Sequence, residues 1–245
     1  MNGLGTAGSS MQQAPSERTR VRRLPKRGAY DRQAIDAILD AGLLCHVGYV
    51  IDGQPYVTPT AHWRDGEYVY WHGSSASRML RMQAGGVDVC FTVSLLDGLV
   101  LARSGFHHSM NYRSVMALGH AELVEAPAAK LHALRAFTER LVPGRWEEIR
   151  APTAQELRAT TILRLSLDEA SAKLRTGPPI DDDADYALPV WAGVLPLSLV
   201  AGPPVADPRL TAGTPVPDAV AGFMPGRARS DSPGPEKSRE TREPT

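Results

Sequence analysis

Three Asp-Gly dipeptides, Asp52-Gly53, Asp65-Gly66 and Asp97-Gly98, stand between runs of β-branched and aromatic residues. Asp-Gly suits a two-residue hairpin turn, because the tight turn needs positive φ, which glycine adopts freely and aspartate tolerates. A chain punctuated in this way pairs neighbouring segments antiparallel. The expected strands are Leu43 to Ile51, Tyr56 to Trp63, Glu67 to His72, Val89 to Leu95 and Leu99 to Ser104, followed by Arg113 to Val124 and Thr161 to Leu174. Strand–helix–strand alternation is missing, so a parallel sheet is excluded. The expectation is a mainly β chain, six or seven antiparallel strands closing a small barrel with peripheral helices.

The helices announce themselves by their ends. Asp31 caps a helix that places Ala34, Ile35, Ile38 and Leu39 on one face before Gly42. Ser74-Ser75-Ala76-Ser77 enters a brief helix at Arg78. Pro127 suits the first position of a longer one, with Leu131, Leu134, Phe137 and Leu141 as its apolar stripe. Thr153 and Glu156 have the spacing of a capping box.

Residues 1–27 and 202–245 have too little periodic apolar surface to offset their ordering entropy, so both read as disordered tails flanking one domain at 28–201. Charge is balanced at 27 basic and 27 acidic residues, which argues against a nucleic-acid partner. The cluster from Arg18 to Arg27 reads as part of the solvated tail. The uncharged stretch from Ala187 to Ala206 imitates a membrane span. Pro189, Pro196, Pro203 and Pro204 would leave its backbone groups unpaired in lipid, so no membrane role is expected. Cys45 and Cys90 lie in strand-like runs and read as buried thiols, and the N-terminus lacks the apolar segment of an export signal. Both point to the cytoplasm.

Few motifs carry chemistry. Gly3-x-Gly5-x-x-Gly8 matches a dinucleotide fingerprint, but no strand feeds it. Ser75, Ser77 and Arg78 combine hydroxyls, a helix start and a guanidinium, which could grip a phosphate; the same serines could simply cap the helix. His107-His108 and His120 lack supporting ligands at metal-site spacing and read as structural, so no metal is expected. His72 ends a strand beside Trp71, where it is either a surface histidine or a proton-shifting group at a cofactor edge. Trp191 is either a packing anchor or a ring platform.

Tyr56-Val-Thr-Pro-Thr-Ala-His-Trp63, Tyr70-Trp-His-Gly73, Ser77-Arg78 and Asn111-Tyr-Arg-Ser-Val115 leading into Gly119-His-Ala-Glu122 together resemble the pyridoxamine 5′-phosphate oxidase-like split-barrel flavoproteins. The branch in question includes nitroimidazole-resistance proteins, and the resemblance spans about Arg23 to Leu197. It implies an FMN-binding split barrel. Pro59, Thr60, Ala61 and His62 would run along the isoalloxazine, largely through backbone groups. Trp71 and His72 would border the ring, with His72 the candidate catalytic residue. Ser75, Ser77 and Arg78 would hold the phosphate, while Tyr112, Arg113 and Ser114 would supply polar flavin contacts.

A barrel this small fills with its own side chains, so the ring needs cover from a second subunit, and a homodimer is expected with the strand around Tyr112 to Ser114 and the segment containing Trp191 as the candidate covering surfaces. The oxidases carry Arg-Lys where this chain has Arg78-Met79, and they finish on a basic strand without counterpart here. Pyridoxamine phosphate oxidation is therefore not the expected reaction. An FMN-dependent oxidoreductase acting on a small organic molecule, such as a nitroaromatic or quinone-like acceptor, is. Two other readings stay open: a reductase using the deazaflavin F420, and a non-catalytic module binding flavin or haem.

Overall fold

At Asp52-Gly53 both residues take positive φ, 51° and 78°, and the chain reverses in two residues. The computed structural model describes residues 13–225. Its strands and helices run β1 (Gly28–Ala29), α1 (Arg32–Ala41), β2 (Leu44–Ile51), β3 (Gln54–Asp65), β4 (Tyr68–Ser74), α2 (Arg78–Ala84), β5 (Asp88–Leu101), β6 (Ser109–His120), β7 (Glu122–Leu123) and α3 (Pro127–Leu141). They continue with α4 (Ala154–Ala159), β8 (Thr160–Ser166), β9 (Ala170–Arg175) and β10 (Gly193–Pro196). The second hairpin also forms, with Gly66 at φ 55° and Asp65 opposite Tyr68, so its turn is Gly66-Glu67, one residue later than expected.

The third Asp-Gly pair is not a turn. β5 runs straight through it, with a bulge between Leu96 and Gly98. Gly98 is needed there because β10 passes close by: a Cβ would lie 3.0 Å from the Leu195 carbonyl oxygen and 3.1 Å from Val194 Cγ1. The bulged Asp97 turns its carboxylate to Arg113 at 2.7 and 2.9 Å, and its carbonyl accepts from Leu197 N–H at 3.0 Å. The chain reverses later, in the loop from Ala102 to His108.

The mainly antiparallel split-barrel class holds, while strand number and closure differ from expectation. The sheet has ten strands in the order β1-β9-β6-β5-β2-β3-β4-β8-β7, with β10 added on β5, and this path does not close on itself. One expected strand, Thr161 to Leu174, is two, because Ser166 and Asp168 form a side-chain-supported break between β8 and β9. The short edge strands β1, β7 and β10 supply the rest.

The caps behave as local chemistry dictates. Asp31 Oδ1 accepts from Ala34 N–H at 2.7 Å, Ser77 Oγ from Leu80 N–H at 3.4 Å, and the Thr153–Glu156 box is complete. Ile35, Ile38 and Leu39 of α1 then pack with Val47, Trp71, Leu80, Phe91, Val93 and Val115 in the main core. A smaller core of Trp63, Val124, Ala133 and Ile162 lies under α3. The expected stripe on α3 is corrected here. Leu134 and Phe137 pack inward beside Ala133 and Ala136, whereas Leu131 and Leu141 are exposed.

Within the expected N-terminal tail, Ser16 Oγ and Arg18 Nε both donate to Glu169, at 2.6 and 2.8 Å, and Thr19 is buried. The Gly3-x-Gly5-x-x-Gly8 motif lies outside the described residues. Residues 202–225 are mostly exposed. Among the described residues no helix is long and apolar enough to cross a membrane.

Candidate functional site

Alternation along β3 and β4 sends the candidate residues to three places, since successive side chains point to opposite faces. Thr60 lies opposite Cys45 and faces inward; His62 and Trp71 face each other across the strands within the main core. Trp71 is fully buried, and its Nε1–H donates to Gln83 Oε1 at 2.9 Å. His62, 2% exposed, hydrogen-bonds the Leu39 carbonyl through Nε2 at 3.1 Å and meets Phe91 edge-on. A carbonyl only accepts, so Nε2 carries the proton. Burial pulls this imidazole down to about 4, and its Nδ1 has no partner.

His72 and Trp63 point the other way, beneath α3. Phe137 sits 4.7 Å from the His72 ring and 5.0 Å from Trp63. Desolvation lowers the His72 pKa, and its Nδ1 is buried without a partner. The ring that the sequence marks as catalytic is thus a neutral imidazole packed between aromatic side chains.

Pro59 and Ala61 share the outer face with Trp63, at the part of β3 that α3 leaves uncovered. They stand opposite His46 and Leu44 of β2, and Thr92 of β5 continues the row of Pro59 and His46 on the next strand. This part of the outer face is open. Leu44, Val50, Leu96 and Val57, the last 67% exposed, make it apolar as well. Inward-pointing Cys45, Val47 and Tyr49 are apolar too, so β2 is a strand with two hydrophobic faces, of which its own fold covers one. Sequence reasoning passed over His46 and this face, although the uninterrupted apolar character of β2 was the signal for it.

The serine loop lies at the end of β4. Ser75 N–H donates to Ala159 O at 2.8 Å, Ser77 N–H to Ser74 O at 2.9 Å and Ala76 N–H to Ser74 Oγ at 3.2 Å. These bonds hold the loop shape, and Ser77 caps α2. Among the described residues the Ser75 hydroxyl and the exposed Arg78 guanidinium have no recorded partner. Arg113 differs. Its bidentate pair with Asp97 raises its pKa and commits its donors within the chain. Ser114, opposite Ser94, donates its hydroxyl to Lys173 O at 3.2 Å, and Tyr112 stands opposite Leu96 and Arg175. Trp191 is 68% exposed, and its ring occupies the space where a Cβ on Gly193 would be, 2.9 Å from that position. No group of three or more His, Cys, Asp or Glu among the described residues could hold a metal ion.

An open, mainly antiparallel sheet with a serine–arginine loop at one strand end defines a class of split-barrel folds. The chain belongs to the pyridoxamine 5′-phosphate oxidase family, whose pattern matches residues 31–174. It is similar to the flavocytochrome Anf3 from Azotobacter vinelandii, at 49% identity and TM-score 0.83, over 87% of this chain and 99% of that one. It is also similar to the FAD and haem binding protein from Mycobacterium smegmatis, at 41% identity and TM-score 0.78, over 81% and 98% of the two chains. A 5-nitroimidazole antibiotic resistance protein from Bacteroides thetaiotaomicron is more distant, at 25% identity and TM-score 0.49, over 60% and 85%. No curated protein matches.

Proposed function

We propose that this chain is a flavin- and haem-binding redox protein that works as a homodimer. The observation that carries the reading is the 49% identity to a flavocytochrome over 99% of that protein's length. The M. smegmatis relative names both its ligands, FAD and haem, and so favours FAD over the FMN expected from the sequence. The residues present suit a flavin. Pro59 and Ala61 offer a flat apolar edge with backbone groups, and Ser75, Ser77 and Arg78 supply donors for a phosphate. When bound, the flavin supplies the hydride and electron chemistry. The protein's part is to orient the ring along β3, hold its phosphate and exclude water.

The apolar outer face supports the dimer, because a second subunit would cover both that face and the ring. A small organic electron acceptor or donor fits the same opening. His72, enclosed under α3, takes no part in this reading. Arg78→Ala is the direct test of ligand placement. Losing a charge-assisted contact should weaken FAD or FMN binding by about 1.5–3 kcal/mol while leaving riboflavin, which has no phosphate, nearly unaffected. Equal losses for phosphorylated and unphosphorylated flavins, measured by fluorescence titration, would contradict the placement.

A further inference from the structure

We propose that His108 is the axial ligand of the haem iron, an assignment that rests on the haem-binding part of the function proposed above. An axial imidazole must present a free nitrogen lone pair, at a surface where a flat apolar macrocycle can lie. Of the seven histidines, His62 spends Nε2 on Leu39 and is buried. His72 is wedged against Trp63 and Phe137. His107, His120 and His132 turn Nε2 toward the carboxylates of Asp182, Asp88 and Asp65, at 3.5, 3.5 and 2.8 Å. His46 stands in the row of Pro59, where the proposed flavin ring would cover it. His108 remains.

Its geometry suits the task. Nδ1 lies 2.8 Å from the Ser104 carbonyl oxygen. A carbonyl cannot donate, so Nδ1 carries the proton and Nε2 of the neutral ring keeps its lone pair. The same bond fixes the ring orientation and its tautomer, the arrangement in which an outer partner orients a metal-bound histidine. The ring is exposed, and the surface beside it is apolar. Phe106, two residues away, is 89% exposed. Met110, two residues on the other side, stands opposite Leu99, which in turn stands opposite Leu195 of β10, and both Met110 and Leu195 are exposed. The exposed ring of Trp191 lies over Gly193 at the start of β10. These side chains form a shelf that a porphyrin would cover.

The experiment is a titration of the purified full-length chain with hemin, followed by the Soret band, with flavin content measured in parallel. Wild type should bind hemin saturably. His108→Ala should weaken binding by about tenfold or more, the least that loss of a ligand should cost when an outer partner alone costs that much. It should keep the melting temperature and flavin content of wild type. His108→Gly should regain the wild-type Soret position on adding free imidazole, which a merely structural role would not produce, and His132→Ala should bind like wild type. Unchanged binding by His108→Ala, or loss in His132→Ala instead, would overturn the assignment while leaving haem binding intact. A wild-type chain with no saturable Soret band would overturn haem binding and the assignment together, and its flavin content would show whether the flavin reading survives alone.

Discussion

Two regions of one face of the sheet are built from similar residue types to opposite ends. Beneath α3, Trp63, Tyr70, His72 and Phe137 pack into one aromatic cluster, and the chain covers it with its own helix. On the outer face of β2 and β3, Leu44, Val50 and Val57 are equally apolar and lie bare. The chain supplies a lid for one region of this face and leaves the other bare.

The largest effects should fall on the enclosed side. Trp71→Ala should cost about 3–5 kcal/mol in denaturant unfolding, because it empties a fully buried site and strands Gln83. Val57→Ala on the open face should change the same measurement by no more than about 0.5 kcal/mol. Similar losses at both positions would erase the distinction.

His62 gives the next effect. Its folded-state pKa, about 4, lies below the ordinary value of 6.5, so the unfolded chain takes up the proton first. The stability held by the neutral buried ring is complete above about pH 6.5 and falls as the pH drops toward 4, by about 3 kcal/mol over that window. His62→Gln should flatten this part of the curve of unfolding free energy against pH. An unchanged slope in the variant would assign the acid sensitivity elsewhere.

A subtler effect belongs to the open face. Val57→Asp should leave the monomer folded, by circular dichroism, and shift sedimentation toward monomer with parallel loss of flavin, since a ligand bound only by the dimer is linked to assembly by mass action. A dimer that persists with its flavin would place the interface on another surface. The smallest effect is expected from deleting residues 203–245, which should leave the melting temperature within about a degree because residues 202–225 bury little. A drop of several degrees would show that this segment supports the sheet.

What could be read in the sequence was whatever neighbours along the chain decide. The caps at Asp31 and Thr153 and the turn at Asp52-Gly53 depend on residues within one helical turn, and each formed as expected, while Ser77 took the capping role that the sequence left open beside phosphate binding. Asp97-Gly98 asks for the same residue types as a turn, yet it serves a bulge because β10, far along the chain, arrives against Gly98. The site followed the same rule. The period of two along β3 separates Pro59 and Ala61 from Thr60 and His62, but which set faces outward is decided by the docking of α1. The enclosure of His72 depends on α3, and Arg113 is occupied by an Asp97 that only the bulge delivers.

The most direct test is the visible spectrum of the purified full-length chain, with the released cofactor identified by mass. The account predicts flavin bands near their usual positions, a Soret band, and the mass of FAD. A colourless protein that takes up neither flavin nor hemin would contradict it, and the open face would then need another occupant.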